Sequence, residues 1–318
     1  MIVIAGPTAS GKTDLAAALA LRLGGEVISA DSRQVYRCLD AATAKPPAAL
    51  RAKVPHHLID VVNPTEAYDA GRFAKDAAAA IAGIRSRGKV PIVCGGTGLY
   101  LRALMEGLSP LPQRNEGIRA RLEAQASKDG AEALHSRLKK IDAKAAEGIS
   151  AANVPRVIRA LEVFELTGKP LSSHWAEGRS GGITPSAVLR LEVPNDVLRA
   201  RIESRAEDMW PRLLAEVRSL VPSRCRGDEP GFTSLGYREA VAVLNGDMTE
   251  DEGFDGMVRA THAYAKRQRT WFRGQLSGAV AVAAGLGPER TLAHALSALS
   301  APAVVKDSPL VNNGTGNR

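Results

Sequence analysis

The sequence has little cysteine and no long apolar run. Its three cysteines, Cys38, Cys94 and Cys225, are odd in number and widely spaced, which fits neither a disulfide framework nor a cysteine-rich metal site. No apolar stretch approaches the roughly 18 to 20 residues that a membrane-spanning helix requires. The apolar start at residues 1–5 is too short for a secretory signal and lacks its basic beginning. We therefore expect a protein of the reducing cytoplasm that binds no membrane.

Aromatic residues are also scarce, at 4% of the chain. A protein that binds single strands by stacking bases on aromatic side chains normally contains more of them. Basic residues outnumber acidic ones, 42 against 34, which gives a formal net charge of +8. This excess favours a polyanionic partner. If that partner is a nucleic acid, phosphate contacts and a few base contacts should account for most of the binding.

Apolar patterns near the N-terminus alternate between strands and helices. Short apolar runs at 1–5, 26–29 and 90–94 are separated by helical periodicity at 12–23 and 70–87. Such alternation predicts an α/β fold, a doubly wound parallel sheet flanked by helices. At 318 residues the chain is long enough for about two structural units.

The pattern changes near residue 114. Helical periodicity dominates from 114 to 186, and a strand pattern returns only at 187–193. We interpret 114–186 as a helical insertion domain within an α/β core formed by 1–113 and 187–299. Residues 300–318 are small and polar with no periodicity, which predicts a disordered tail.

Residues 6–13 read GPTASGKT and match the phosphate-binding pattern G-x-x-x-x-G-K-[ST], between a predicted strand and a predicted helix. The glycines let backbone amides surround an anion, Lys12 can bridge phosphate oxygens, and the Thr13 hydroxyl can ligate Mg²⁺. The predicted phosphate site consists of Gly6, Pro7, Thr8, Ala9, Ser10, Gly11, Lys12 and Thr13. An ordinary nucleoside triphosphatase would add a strand that ends in a metal-binding acid, but the strand at 90–94 runs into glycine. ATP hydrolysis is therefore poorly supported, and a different diphosphate fits the same cradle.

Two polar residues follow predicted strands at the same edge of the sheet. Asp31 comes after the strand at 26–29, and Thr97 comes after the strand at 90–94. Ligands of doubly wound sheets bind at the carboxyl ends of strands, so Asp31 should face the bound anion as a general base or a metal ligand. Asp31 and Thr97 are also good helix caps. Spacing alone does not decide whether Asp31 is a helix cap or a base or metal ligand. For Thr97 it favours the helix cap.

Two segments are rich in basic residues. Residues 259–273 contain five basic residues and no acid, with aromatic side chains between them, which predicts a helix with a cationic face for phosphates. The second cluster is interrupted by acidic residues and is more typical of a solvated face. Its basic members are Arg199, Arg201, Arg205 and Arg212. The pattern around Arg156 and Arg159 favours neither interpretation.

Eight short motifs occur in a fixed order along residues 1–275. They read GPTASGKT (6–13), SADSRQVY (29–36), TAKP (43–46), PHHLID (55–60), GGTGLY (95–100), RALEV (159–163), SLGYRE (234–239) and KRQRTWFR (266–273). In this combination the chain resembles the tRNA dimethylallyltransferase family, in its shorter bacterial form. The resemblance implies a P-loop fold with a helical insertion that contacts the anticodon arm of tRNA. A monomer is the default expectation for the assembly.

The reaction implied by the resemblance moves a dimethylallyl group from dimethylallyl diphosphate to N6 of the adenosine on the 3′ side of the anticodon. The donor's diphosphate, rather than ATP, would occupy the phosphate-binding loop. Asp31 matches the family's general base, Thr97 and Arg205 match positions that contact the diphosphate, and Thr13 would hold Mg²⁺. The positions assigned to tRNA binding are Asp31, Ser32, Arg33, Gln34, Arg119, Arg156, Arg159, Thr233, Ser234, Leu235, Gly236, Tyr237, Arg238, Lys266 and Arg267.

The sequence departs from the family pattern at residues 148–153, so no tRNA contact is carried over to them, and at Ala42, where glycine is common. Three other functions remain compatible with the residues. They are a P-loop kinase of a small metabolite, a prenyltransferase of free adenine nucleotides, and a nucleic-acid binder without catalysis. The basic segment at 259–273 argues against a mononucleotide acceptor, which needs no extended cationic face.

Overall fold

The computed structural model describes residues 1–221 and 225–300, and in it the chain forms two compact units. The first unit contains Met1–Met105 and the described residues from Ile183 onward, and the second is Glu106–Gly182. Apart from Ser300, the predicted tail lies outside the described residues. No helix within these ranges is both long and apolar enough to cross a membrane.

In chain order, the strands of the described residues are β1 (Ile2–Ala5), β2 (Gly25–Ser29), β3 (His56–His57), β4 (Val90–Gly95), β5 (Gly107–Leu108), β6 (Ser180–Gly181), β7 (Ala187–Glu192) and β8 (Val280–Ala283). Six of them form one sheet in the order β3-β2-β4-β1-β7-β8, and every neighbouring pair is parallel. The remaining two, β5 and β6, form an antiparallel pair. The predicted α/β fold with a parallel sheet is confirmed.

The α-helices of the first unit are α1 (Lys12–Leu23), α2 (Ala48–Lys53), α3 (Ala70–Ser86) and α4 (Gly98–Glu106), followed after the second unit by α10 (Asn195–Leu220), α11 (Tyr237–Asn245), α12 (Glu250–Gln275) and α13 (Pro288–Ser300). The second unit contains α5 (Glu116–Asp129), α6 (Ala131–Ile141), α7 (Ala143–Gly148), α8 (Val154–Thr167) and α9 (Leu171–Ala176). A 3₁₀-helical turn spans Pro230–Thr233.

Side chains of β1 alternate between two hydrophobic cores, one on each face of the sheet. Val3 packs in the core that contains Phe73 of α3, and Ile4 packs in the core that contains Leu19 of α1. All four residues of β1 are buried. A strand covered by helices on both faces reads as a continuous apolar run, which is why the short N-terminal segment could be predicted as a strand.

The second unit begins earlier and ends earlier than the predicted insertion at 114–186. Its ends are joined by β5 and β6, which pair Gly107 with Gly181 and Leu108 with Ser180. Strands of two residues contain no period that a sequence pattern can reveal, so this pairing was not predicted. Helices α5–α9 otherwise account for the predicted helical character of the segment.

A buried carboxylate organises the second unit. Glu162 of α8 has no exposed surface, and its Oε1 accepts a hydrogen bond of 2.7 Å from the backbone N–H of Asn115. Its Oε2 lies 2.7 Å from a guanidinium nitrogen of Arg159 and 3.5 Å from one of Arg119. Arg159 also donates to the carbonyl oxygen of Pro112. Arg119 and Arg159, both assigned to tRNA from the sequence, therefore neutralise a buried acid within this unit.

Replacing Glu162 with alanine should destabilise the second unit by about 3 kcal/mol, because two partly buried guanidinium groups lose their counter-charge. Hydrogen exchange of the α8 amides measures this loss as a drop in protection. The control is Glu123→Ala on α5, where the side chain is exposed. Equal protection of α8 in both variants would contradict the role given to Glu162.

Candidate active site

A cleft of about 790 Å³ opens at the carboxyl ends of the central strands. Strands β2, β4 and β1 are neighbours in the sheet, and each is followed by a predicted site segment: Asp31 after β2, Thr97 after β4 and the phosphate-binding loop after β1. Because the strands are parallel, all three segments emerge at the same edge. The predicted residues that line the cleft are Thr8, Ala9, Ser10, Gly11, Lys12, Thr13, Asp31, Arg33, Gln34, Arg205, Thr233, Leu235 and Arg267.

The phosphate-binding loop, residues 6–13, has the backbone shape of an anion cradle. Ala9 and Gly11 both adopt the left-handed conformation, with φ of 60° and 84°. Gly11 is the N-cap of α1, so the free amides of the first helical turn point toward the cleft. The Ser10 hydroxyl is buried without a hydrogen-bond partner among the described residues. The loop therefore offers donors that are not consumed by the fold.

Lys12 carries the positive charge of the loop. Its Nζ donates to the carbonyl oxygen of Pro7 at 3.2 Å, and its own carbonyl accepts a hydrogen bond from the Cys94 thiol. Burial lowers the pKa of the Lys12 ammonium group, and the negative charge of Asp31 partly offsets that effect. An anion bound in the cleft would favour the charged form further.

Asp31 caps a turn and not a helix. Its Oδ1 accepts a 2.9 Å hydrogen bond from the backbone N–H of Arg33, two residues further on, and residues 32–35 form a turn. The alternative of a helix cap is therefore wrong for Asp31. Its second oxygen, Oδ2, has no hydrogen bond from the described part of the chain, and the residue lines the cleft. The carboxylate is thus held in place by one oxygen while the other stays available.

Thr97 holds the residues on either side of Asp31. Its backbone N–H donates to the Ala30 carbonyl at 3.2 Å, and its Oγ1 accepts the backbone N–H of Ser32 at 2.9 Å. Thr97 precedes α4, and its carbonyl accepts the N–H of Tyr100, so it does occupy the cap position. Its hydroxyl, however, bonds to Ser32, and Thr97 is not among the residues that line the cleft.

Arginine side chains of α10 face the same cleft. Arg201, Arg205 and Arg212 line it, whereas Arg199 pairs with Glu203 on an exposed face. Arg201 and Arg205 are half-buried at the cleft, so the interpretation of this cluster as a solvated face is wrong for them, whereas Arg212 is exposed although it also lines the cleft. Burial lowers the pKa of the Arg205 guanidinium, although the charge of Asp31 acts in the opposite direction. Its Nε donates to the Met209 sulfur at 3.2 Å.

The segments assigned to tRNA from the sequence divide into exposed and buried residues. Arg33 donates to the Thr233 hydroxyl at 2.7 Å, which joins the turn after Asp31 to the residue that precedes the SLGYRE segment. Tyr237 is completely buried and donates its hydroxyl to Glu216 Oε1 at 2.6 Å. The remaining buried members are Gln34, Ser234 and Gly236, and the exposed members outside the cleft are Arg238, Lys266 and Arg156. Gln34 still lines the cleft, whereas Ser234, Gly236 and Tyr237 are not among its lining residues.

Buried polar contacts explain two further motifs. Lys45, of TAKP, places its Nζ 2.6 Å from Asp40 and 2.5 Å from Asp60 of PHHLID, and it also donates to the Tyr36 carbonyl. Glu216 accepts the backbone N–H groups of Asp40 and Ala41. These contacts fix residues 40–47, which form one wall of the cleft.

Sequence reasoning missed two cleft residues on α12, Tyr264 and Gln268. Burial raises the pKa of the Tyr264 phenol to about 12, and the charge of Asp31 adds to this effect. The guanidinium of Arg267 lies 5.8 Å from the centre of the Tyr264 ring. Tyr264 lies three positions before Arg267 and four before Gln268, so helical spacing from Arg267 could have identified Tyr264, and spacing from Tyr264 could then have identified Gln268.

The described residues contain no cluster of three or more His, Cys, Asp or Glu side chains that could hold a metal ion. The Thr13 hydroxyl and the carboxylates of Asp14 and Asp31 do line the cleft. A hard cation that takes most of its ligands from substrate phosphates and water needs few protein ligands, so this donor set is compatible with Mg²⁺.

Comparison with known proteins gives a consistent result. Residues 34–275 match the family model described as IPP transferase, and residues 1–54 match the one described as isopentenyl transferase. A tRNA dimethylallyltransferase of Anaeromyxobacter dehalogenans is 45% identical over 91% of this chain and 96% of its own. The corresponding enzyme of Halorhodospira halophila is 46% identical over 87% and 91%.

Solved structures agree. The tRNA isopentenylpyrophosphate transferase of Bacillus halodurans superposes with a TM-score of 0.67 at 38% identity, covering 93% of this chain and 95% of that one. A eukaryotic dimethylallyltransferase described as acting on tRNA gives a TM-score of 0.75 at 29% identity, covering 89% and 73%. The sheet described above is accordingly a P-loop α/β fold. The chain belongs to the IPP transferase family, among relatives that are tRNA dimethylallyltransferases.

Proposed function

We propose that this protein transfers a dimethylallyl group from dimethylallyl diphosphate to N6 of the adenosine on the 3′ side of the anticodon in tRNA. The bond between the allylic carbon C1 and the diphosphate oxygen breaks, and its electron pair leaves with diphosphate. A bond between C1 and N6 forms, and N6 loses a proton. The observation that carries this proposal is that Asp31 and the phosphate-binding loop line the same cleft.

The residues expected to surround the donor's diphosphate are positively charged. Lys12 and Arg205 line the cleft beside the amides of the phosphate-binding loop, where they can neutralise charge on the leaving diphosphate. Both groups are partly desolvated, since burial lowers the pKa of each. Charge stabilisation is stronger in such surroundings than in water. A direct contact of Thr97 with the diphosphate stays a prediction, because its hydroxyl bonds to Ser32.

The acceptor end requires a base. The exocyclic amine of adenine is a poor nucleophile because its lone pair is delocalised into the ring. Asp31 Oδ2 can take the N6 proton as the new bond forms, while Oδ1 remains bonded to Arg33 N–H. The target base must leave its stack to reach this carboxylate. Arg33 and Thr233, which are hydrogen-bonded to each other and line the cleft, would contact this base.

We further propose that Mg²⁺ binds with the donor at this site. Thr13 would supply a protein ligand, and Asp31 or Asp14 would act through water. The metal would add positive charge next to the diphosphate oxygens. Removal of divalent cations by a chelator should therefore lower the affinity for inorganic pyrophosphate, which calorimetry measures without turnover.

The tRNA partner should contact exposed cations of both units. Lys266 and Arg238 are exposed, and Arg267 lines the cleft. Arg156 is exposed on the second unit, in contrast to the paired Arg119 and Arg159. Direct phosphate contacts are therefore assigned first to Lys266, Arg267, Arg238 and Arg156. A monomeric assembly stays a prediction.

Lys266→Ala should weaken tRNA binding and reduce its salt dependence. Each lost phosphate contact should reduce the slope of log K against log salt by about 0.7 to 0.9. Filter binding of unmodified tRNA between low and moderate salt measures the slope. Lys75→Ala on α3 is the matched control, because this lysine is also exposed but lies outside the basic segment at 259–273. Identical slopes for the two variants would remove Lys266 from the interface.

The proposed function is tested by incubating the protein with isotopically labelled dimethylallyl diphosphate and unmodified tRNA, followed by mass analysis of the nucleosides. Labelled prenyl-adenosine without added ATP is expected. Phosphoryl transfer from ATP to a small alcohol, with no prenylation, would support the kinase alternative. Prenylation of free AMP in preference to tRNA would support the alternative of a prenyltransferase of free adenine nucleotides.

A further inference from the structure

Gln268 joins two loops at the site and has no assigned role in it. Its side chain is 6% exposed. Its Oε1 accepts the backbone N–H of Thr8, in the phosphate-binding loop, at 2.8 Å. Its Nε2 donates to the backbone carbonyl of Gly96, after β4, at 2.9 Å. One buried amide therefore bridges the ends of two neighbouring strands, β1 and β4.

The orientation of this amide is determined by its partners. Thr8 offers only a donor and Gly96 only an acceptor, so a flipped amide would face two like groups. The approach to Gly96 is also close, since a Cβ at that position would lie 2.4 Å from Gln268 Nε2. Glycine at 96 and glutamine at 268 are thus fitted to each other.

The bridge continues to the general base. Gly96 is followed by Thr97, whose N–H and hydroxyl hold Ala30 and Ser32, the two neighbours of Asp31. The connection from the phosphate-binding loop to Asp31 is therefore a short series of hydrogen bonds. It runs from Thr8 through Gln268 and Gly96 to Thr97.

We propose that Gln268 is a positioning residue that fixes the phosphate-binding loop relative to the loop holding Asp31. This inference rests on the proposed function, because it assigns the two loops to the donor's diphosphate and to the base. Reaction requires the allylic carbon and the N6 amine at attack distance, with the base in reach of the proton. An amide that connects both loops sets this geometry without contacting the reacting atoms.

The first test is Gln268→Met, which keeps the side-chain length and removes both hydrogen bonds. We expect kcat/KM for dimethylallyl diphosphate to fall roughly 10²-fold, the loss expected for a misplacement of about 1 Å. Affinity for inorganic pyrophosphate should fall as well, while KM for tRNA should remain at the wild-type value. The control is Gln275→Met, an exposed glutamine at the end of the same helix.

The second test is Gln268→Glu, measured as the ratio of variant to wild-type kcat/KM across pH. An ionised carboxylate accepts from Thr8 but places an oxygen against the Gly96 carbonyl. The protonated acid can donate to that carbonyl and so restores the second bond. The ratio should rise about tenfold as pH falls, the size expected for one buried hydrogen bond. Taking the ratio removes the effects of Lys12, Asp31, Arg205 and Arg267, which both proteins share. Tyr264 hydrogen-bonds to the side chain at position 268, but its pKa, raised to about 12 by burial, lies above the pH range of the measurement.

The outcomes separate the two proposals. A wild-type protein that prenylates no tRNA would refute the proposed function. An active wild-type protein whose Gln268→Met variant keeps its donor kcat/KM, or loses activity only through KM for tRNA, would overturn the role of Gln268. If thermal melting shows that the Gln268→Met variant is unfolded, the Gln268→Glu variant tests the role of Gln268. A pH-independent ratio for that variant would also overturn the inference.

Discussion

Replacing Asp31 with asparagine should lower kcat for prenyl transfer about 10²–10⁴-fold, the usual contribution of a positioned general base. Asparagine keeps an oxygen that can accept the Arg33 N–H, so the turn at 32–35 should persist. Its amide nitrogen, however, cannot accept the N6 proton in place of Oδ2. The expected result is therefore a loss of turnover with tRNA affinity preserved, measured by single-turnover kinetics and filter binding.

The matched control for Asp31 is Asp208→Asn. Asp208 also lines the cleft, but it lies on α10 and not at the end of a strand. Turnover should change little in this variant. Unchanged prenyl transfer in Asp31→Asn would refute the assignment of the base. Parallel loss of tRNA binding and activity would mean that Asp31 holds the RNA and does not accept the proton.

Replacing Lys12 with methionine should lower kcat/KM for dimethylallyl diphosphate about 10²–10³-fold. Methionine retains most of the aliphatic length and removes the charge that opposes the leaving diphosphate. Because negative charge on the diphosphate grows as the C1–O bond breaks, the loss should exceed the loss in ground-state affinity. Steady-state kinetics and calorimetry with inorganic pyrophosphate measure the two effects separately.

Lys75→Met is the control for Lys12, since Lys75 is an exposed lysine of α3. It should keep the activity of the wild-type protein. A Lys12→Met variant with normal donor kinetics would place the diphosphate elsewhere in the cleft, for example beside Arg201 and Arg212. The proposed reaction would then need a different donor site.

Local patterns were sufficient to predict the phosphate-binding loop. A buried strand, a glycine-rich turn and an amphipathic helix follow one another within residues 2–23. The conformation of each of these elements is determined mainly by its own residues. The same holds for Asp31, because its position depends only on the end of β2. Strand β8 and helix α13 were not predicted individually, although the alternating valines and alanines of β8 are themselves a strand pattern.

Roles that depend on tertiary contacts could not be predicted. The SLGYRE motif suggests a contact surface, yet Tyr237 is buried by packing and bonded to Glu216, which is 21 residues distant. Arg119 of α5 has the charge of a phosphate ligand, but it pairs with Glu162 of α8, a contact between two helices. The pairing of Glu162 with Arg159, three positions earlier on the same helix, is local, and helical spacing could have indicated it. The contacts of Gln268 span 260 and 172 residues, so no sequence window includes them.

The order of the strands has a consequence for the choice of prenyl donor. The phosphate-binding loop follows β1 and Asp31 follows β2, with β4 between them. Two strand spacings therefore separate anchor and base by about 10 Å. C1 is attached directly to the anchored diphosphate. The sheet therefore sets the distance between C1 and the base, and this distance does not depend on the length of the isoprenoid chain beyond C1. Discrimination against longer isoprenoids must then depend on the space beyond C1, and enlarging that space should change the chain length accepted without moving the point of attack.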